Sequence, residues 1–365
     1  MVKTLVCRYL ILGTLVTVVD RLSIDSDVEI SYDELAHMLL DPNIGLGGAI
    51  VTFLDKCILP NIENNLTNIE EGAPDYHDER KTKDCYETRT FCASGEEISF
   101  NASGLCAVSD VLSRLVNKKE FWLLGGINNG RKDLFYLYRD LNRPVYHLAV
   151  SKPQLLPDEF ISPLYKSVAF QIPNSVIQEM HTIVTINEEA LPITIHSVFV
   201  GEPFVVCFVG TKPSLEDGNQ RLEAFFDNEH DQALVQIAAD FNGLKLETFP
   251  GLDDMPIAQP TIFDIDNGIN VVFAKLNNDD TINTRFFRRG TGGEEVFSGT
   301  GAVATMAVVD CLAVLSKHQA RFIGSADKTG GIDWATVQSI GDKWWLKMPV
   351  KHLWSGVIEL NNTGE

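Results

Sequence analysis

The chain has 365 residues, 45% of them apolar, and a formal net charge of −20. That length and composition belong to a globular chain of about two ordinary domains. The acidic balance argues against nucleic acid as a partner, because phosphate binding needs clustered Lys and Arg, and it reads as a solubility device. The cysteines Cys7, Cys57, Cys85, Cys92, Cys106, Cys207 and Cys311 are odd in number and show no CxxC spacing. This disfavours a zinc site or a disulfide framework and favours a reducing cytoplasm.

In chain order, Lys3 and Arg8 precede an apolar stretch from Tyr9 to Val19 that could mimic a signal peptide. It is rich in Val and Thr, contains Gly13, lacks a small-residue cleavage site and runs into Asp20, so it reads as a buried strand. No other stretch approaches a membrane span, and no membrane partner is expected. Residues 56 to 88 are polar and acidic and carry Pro60 and Pro74; they read as a surface excursion, a lid or an oligomer contact. Next comes Gly95-Glu96-Glu97-Ile98-Ser99-Phe100-Asn101-Ala102-Ser103-Gly104, followed by a helix-period run from Ala107 to Leu115. A cluster of Pro144, Pro153, Pro157 and Pro163 marks a connection near residues 145 to 165.

The second half repeats this order. Val200-Gly201-Glu202-Pro203-Phe204-Val205 resembles Leu12-Gly13-Thr14-Leu15-Val16-Thr17, each a Gly turn feeding a strand. Gly293-Glu294-Glu295-Val296-Phe297-Ser298-Gly299-Thr300-Gly301 resembles the Gly95 segment once one gap is allowed, and a second apolar run follows from Ala302 to Leu315. Each copy reads as strand, small-residue turn and helix start. Two similar α/β domains are expected, at 1–150 (joined by a closing strand at 345–365) and 151–344.

A small-residue turn at a helix start exposes backbone N–H groups at the positive end of the helix dipole. Two such turns in one cleft would grip a small anionic substrate and suit proton abstraction next to a carboxylate. The alternative is a pair of well-capped helices and nothing more.

Through these motifs the chain resembles diaminopimelate epimerase nearly end to end. The segment Cys92 to Gly104 is similar to the family's Asn-x-Asp-Gly-Ser-Glu-x-x-x-Cys-Gly-Asn-Gly. The segment Arg288 to Ala302 is similar to its Glu-Arg-Gly-x-Gly-Glu-Thr-x-x-Cys-Gly-Thr-Gly-Ala, one residue longer. The resemblance implies an α/β fold of two pseudo-symmetric domains. Each would be a mixed sheet or partial barrel around a central helix, with the site in the interdomain cleft. It implies no cofactor and no metal, a small amino acid or carboxylate as substrate, and is compatible with a homodimer. The histidines His181, His196 and His230 show no metal-ligand spacing.

The departures carry the most information. The family's two catalytic cysteines match Asn101 and Ser298 here. An amide cannot act as a base, and a serine without a partner is a very weak one, so two-thiol chemistry at these positions is excluded. The family's Gly-Asn-Pro-His matches Gly201-Glu202-Pro203-Phe204, its Asn after the first Gly is Thr14, and its Glu before Arg289 is Arg288. Asn270, Arg289 and Thr300 agree with the family. With Ala102, Ser103, Gly104, Gly299 and Thr14 they are the implied substrate contacts.

Two carboxylates could replace the thiols. Glu202 stands where the family places a substrate contact, and burial beside Phe204 would suit it to general acid or base work; the alternative is a solvated turn. Glu295 matches the catalytic Asp of the phenazine-biosynthesis isomerase branch of the fold, or else belongs with Glu294 to an exposed acidic pair before a helix. Cys106, in a helix's first turn, is either a reactive thiol or a small core residue. The function expected is therefore a cofactor-independent isomerase or epimerase moving a proton with carboxylates. A non-catalytic binding or scaffold protein on the same fold, its site filled by Phe100, Phe204 and Phe297, is the alternative. A diverged cyclisation or double-bond shift is a third reading.

Overall fold

The structure is a computed structural model. It describes residues 2–22, 31–43, 45–56, 85–93, 95–98, 100–128, 131–156, 160–161, 169–172, 175–186, 188–210, 217–228, 232–242, 268–289, 293–324 and 334–360. From 57 to 84 the expected surface excursion lies outside them. The chain divides into two compact units, Met1–Ser151 with Ser339–Glu365, and Lys152–Gln338.

The apolar stretch from Tyr9 to Val19 is not one strand. Leu12 and Gly13 both take positive φ, 49° and 85°, which matches the twist of a two-residue hairpin turn. They separate β1 (Val2–Ile11) from β2 (Thr14–Asp20), which pair antiparallel. Unit 1 continues with α1 (Tyr32–Leu40), β3 (Ile50–Lys56), β4 (Cys85–Cys92), β5 (Glu97–Ile98), α2 (Ala102–Val116), β6 (Glu120–Asn128), β7 (Arg131–Arg139) and β8 (Val145–Val150).

Unit 2 holds β9 (Ala169–Gln171), β10 (Gln178–Ile186), β11 (Glu189–Phe199), β12 (Pro203–Phe208), α3 (Asp217–Phe226), α4 (Ala233–Asn242), β13 (Asn270–Leu276), β14 (Thr281–Phe287), β15 (Glu294–Glu295), α5 (Gly299–Cys311), β16 (Gln319–Ile323) and β17 (Ala335–Ile340). The chain then returns to unit 1. There β18 (Lys343–Pro349) pairs with β8 and β19 (Lys351–Leu360) pairs with β1.

Both units follow one pairing scheme. In unit 1, β1–β2 is antiparallel, β2–β3 parallel, β3–β4 antiparallel, and β4 carries β5 antiparallel and β6 parallel. In unit 2, β11 through β16 repeat those five relations in the same order. The mixed sheets are covered on both faces, so their strands are apolar on both sides rather than alternating. One face of unit 1 packs Val19, Val51, Phe53 and Phe91 against Leu35, Ala36, Leu39 and Leu40 of α1. The matching face of unit 2 packs Ile193, Ile195, Val205 and Val271 against Leu222 and Phe226 of α3 and Leu234 and Ile237 of α4.

The other face of each sheet holds a central helix. Every residue of α5 from Gly299 to Val309 is buried, and so is every residue of α2 from Ala102 to Leu112. A helix made of small and apolar residues on all sides is stable only when enclosed, which is what the sequence Gly-Thr-Gly-Ala-Val-Ala-Thr-Met-Ala-Val-Val specifies. The helix expected to run to Leu315 ends at Cys311.

Candidate functional site

Each central helix begins with the same device. Asn101 is extended and caps α2, its side chain accepting from Gly104 N at 2.8 Å. Ser298 is extended and caps α5, its Oγ accepting from Gly301 N at 3.0 Å. Such caps satisfy one of the orphan donors of a helix start. By helix geometry the N–H groups of Ala102 and Ser103, and of Gly299 and Thr300, remain without an intrahelical acceptor. The third residue after each cap is a glycine, where the helix sits close on the sheet. A Cβ on Gly104 would lie 2.4 Å from Thr52 Oγ1, and one on Gly301 would lie 3.2 Å from Val272 Cγ2 and 3.3 Å from Phe286 Cδ2.

These contacts fix the correspondence between the units. Thr52 and Val272 hold the same place under the helix, as do Thr90 and Phe286. Phe91 pairs with Glu97 as Phe287 pairs with Glu294. Glu97 therefore corresponds to Glu294 with no gap from strand to helix. The shared Gly-Glu-Glu tripeptide is out of register by one residue, and Glu295 corresponds to Ile98. The same ion pair recurs in both units: Arg89 grips Glu97 through Nε and Nη2 at 2.9 and 2.6 Å, and Arg285 grips Glu294 at 2.9 and 2.6 Å.

Unit 2 adds a polar cluster beside its turn. Glu202 is 3% exposed. Its Oε2 accepts from Asn270 Nδ2 at 2.9 Å, and its Oε1 lies 3.5 Å from Nη2 of Arg289. Asn270 Oδ1 in turn accepts from the Arg289 backbone N at 3.1 Å. Three residues singled out from the sequence thus meet, and Glu202 is a buried carboxylate rather than a solvated turn. Asn270 lies two residues before Val272 on the same face of β13, about 7 Å from the spot over which α5 begins.

A second carboxylate stands on that face. Glu295 is paired opposite Phe286, and Arg288 follows Phe286 by two residues with its guanidinium 5.7 Å from the Phe286 ring. Arg288 donates to Glu295 through Nε and through Nη2, the latter at 3.1 Å. Glu295 is therefore held in a fork while its side chain stays 21% exposed. Two adjacent arginines, Arg288 and Arg289, each hold one carboxylate beside the helix start. Sequence reasoning missed the role of Arg288; its only signal was the two-residue spacing from Phe286 on a strand.

Asn101 and Ser298, at the places of the family's two cysteines, both serve as helix caps. The Asn101 amide oxygen is committed to its cap. The Ser298 hydroxyl is hydrogen-bonded to Gly301 N and, at 3.0 Å, to Thr300 Oγ1. Neither partner is a base that could deprotonate it. Thr14 is buried at the start of β2, in the place that Glu202 holds before β12. Cys106 is wholly buried, and desolvation pushes its thiol up, so it is a core residue. Phe100 stacks on Phe135 at 4.9 Å, and Phe204 packs against Phe286 at 6.3 Å. Phe297 is buried under Gly324. All three rings belong to the cores of their own units. Among the described residues no group of three or more His, Cys, Asp or Glu could hold a metal ion, and no helix is long and apolar enough to cross a membrane.

No protein-family model matches the sequence, and no curated protein matches it. Solved structures do. A hydroxyproline epimerase from Agrobacterium vitis with bound trans-4-hydroxy-L-proline superposes at a TM-score of 0.53 and 11% identity, over 99% of this chain and 94% of that one. The fold is of the diaminopimelate-epimerase type. A putative phenazine biosynthesis PhzC/PhzF protein from Clostridium difficile gives 0.52 at 11% identity, over 98% of this chain and 100% of that one. A probable proline racemase from Agrobacterium radiobacter K84 with bound carbonate gives 0.51 at 12%, over 99% and 94%. At these identities the epimerase-type likeness is one of fold.

Proposed function

We propose that the chain is a cofactor-independent isomerase of the epimerase type, acting on a small amino acid or carboxylate through the site at the start of α5. The observation that carries this is Glu202: a carboxylate excluded from water, oriented by the Asn270 amide and flanked by the Arg289 guanidinium. In this reading the substrate's carboxylate binds Arg289 and the N–H groups of Gly299 and Thr300. Glu202 takes the proton from the adjacent carbon, and the electron pair moves into the carboxylate as an enolate, which the same donors stabilise. The proton then returns to carbon. Glu295, held by Arg288, is the second acid within the cluster. Ser298 and Thr300 shape the turn. The shared pairing scheme of the units is best accounted for by internal duplication of one ancestral unit.

A second reading is a non-catalytic binding protein. The commitment of the Asn101 and Ser298 side chains to capping favours it. One experiment separates the two. The protein is incubated in D2O with a panel of amino acids and small dicarboxylic acids, and deuterium entry at carbon is followed by NMR. The isomerase reading expects exchange with at least one compound and a loss of about 10²–10⁴-fold in Glu202→Gln, the usual worth of a general base. Binding detected by thermal shift with no exchange for any compound would establish the second reading.

A further inference from the structure

Among the described residues, the cluster at the start of α5 is balanced in charge before any substrate arrives. Two carboxylates, Glu202 and Glu295, face two guanidiniums, Arg289 and Arg288. The acceptor atoms are matched with donors as well. Glu202 Oε2 takes the Asn270 amide, and Oε1 lies 3.5 Å from Arg289 Nη2. Both Glu295 oxygens take Arg288. Asn270 Oδ1 takes the Arg289 backbone N–H, and Ser298 Oγ takes Gly301 N. The donors are in surplus. The N–H groups of Gly299 and Thr300 have no intrahelical acceptor and carry the positive end of the helix dipole. The Arg289 side chain beside them stays 20% exposed.

We propose, resting on the assignment of Glu202 as the base, that this turn accepts carboxylic acids that carry no amino group, and that Arg288 sets the preference by holding Glu295. A carboxylate seated on Arg289 and the two N–H groups would bring an α-ammonium, two bonds from the carboxyl carbon, in beside the guanidiniums and the positive helix end. Each carboxylate of the cluster already neutralises a guanidinium. The ammonium would therefore enter as a surplus cation, and a charge taken out of water without its own counter-ion is costly. Borrowing Glu202 as that counter-ion would engage the base. Leaving the charge of a close analogue unpaired is a general route to specificity. In an amino acid the ammonium group also acidifies the neighbouring C–H. Without it the electron pair left by the proton needs a second group to enter, so the substrate carries a double bond or a carbonyl beside the reacting carbon. Glu202 takes the proton, the C–H pair spreads over the carboxylate and that group, and the proton returns to carbon. Nothing is oxidised or reduced, and no further reactant is consumed.

Two pairs of acids with matched carbon skeletons test this: vinylacetate against L-2-aminobutyrate, and glutaconate against L-glutamate. Binding to the full chain is measured by titration calorimetry, and deuterium entry from D2O by NMR. Each amine-free acid binds more tightly than its amino partner, by about ten-fold or more, as like-charge repulsion implies, and takes up deuterium. Arg288→Gln frees Glu295 to meet an ammonium and narrows the affinity ratio by about ten-fold. Damage to the fold alone would weaken both members of a pair and leave that ratio unmoved. Equal or tighter binding of the amino acids, a ratio unchanged in Arg288→Gln, or no binding of any of the four acids would each overturn the proposal. Tighter binding of the amine-free acids with no deuterium entry into either would instead count against Glu202 as the base and leave the selectivity standing.

Discussion

At the start of α2 the chain caps with Asn101 above Thr52 and Thr90; at the start of α5 it caps with Ser298 above Val272 and Phe286. Each turn has a glycine pressed on the sheet and an Arg–Glu fork on the strand leading in. What unit 1 lacks is the second layer of charge. Where unit 2 has Glu202, Asn270, Arg288 and Glu295, unit 1 has Thr14, Ile50, Cys92 and Ile98. Unit 1 shows that the fold closes without those charges. Burying carboxylates and guanidiniums is costly even when they are paired. The cap, the glycine and the Arg–Glu fork are thus demands of the architecture, while the Glu202 cluster is an addition that stability does not require.

The comparison can be broken in several ways. Among the groups that hold Glu202, the largest effect is expected at Asn270. Asn270→Ala removes the amide that orients Glu202, and carbon exchange should fall by about 10²-fold, while Thr14→Val at the Glu202 place of unit 1 should keep it within a few-fold. A loss in both variants would place the working groups in both units.

The Arg–Glu forks are alike in geometry but differ in burial. Arg285 is 3% exposed and Arg89 is 31% exposed. Glu294→Ala leaves a guanidinium buried without its carboxylate and should cost about 3–5 kcal/mol in urea unfolding. Glu97→Ala should cost about 1 kcal/mol or less. Equal costs would mean that burial does not separate the forks.

Acid should strike unit 2 first. His196 faces Val206 where unit 1 has Cys7 facing Val18. Burial pushes the His196 imidazole down to about 4, with Glu179 Oε2 3.9 Å from its Nε2 and His181 close by. The unfolded chain takes up this proton near 6.5 and the folded chain only near 4, so the contribution is complete above 6.5 and is lost as pH falls between those values. It amounts to ~3 kcal/mol. Cys7, which burial pushes up, gains no charge in that window. Hydrogen exchange from pH 7 to 4 should show amides of unit 2 losing protection ahead of those of unit 1, and His196→Leu should flatten the difference.

Smaller effects test the architecture itself. Gly104→Ala meets Thr52 Oγ1 at 2.4 Å and should destabilise by about 1–3 kcal/mol; Gly301→Ala, with contacts no closer than 3.2 Å, should cost less. Asn101→Ala and Ser298→Ala should each cost about 1 kcal/mol in thermal melts, as lost caps do.

Caps, glycine turns and the order of elements were legible in the sequence because they are local: an Asn or Ser three residues before a glycine, ahead of an apolar run, carries its own geometry. The meeting of Glu202, Asn270 and Arg289 was legible only through family resemblance, since it depends on β12 lying parallel to β13. The Arg288–Glu295 and Arg285–Glu294 forks were hidden because they depend on cross-strand register. The same blindness shifted the repeat by one residue: adjacent glutamates are interchangeable on paper, and only the pairing of Phe287 with Glu294 tells them apart. The stretch from Tyr9 to Val19 read as one strand because Leu12 is an unusual residue for positive φ.

Whether proton transfer belongs to the turn of unit 2 is decided by deuterium entry at carbon, measured side by side for the wild type, Glu202→Gln and Asn101→Ala. Glu202→Gln should lower exchange by about 10²–10⁴-fold, while Asn101→Ala should exchange at close to the wild-type rate with a lower melting temperature. Exchange at the wild-type rate in Glu202→Gln, or its disappearance in Asn101→Ala while the fold is intact, would contradict a site at the turn of unit 2.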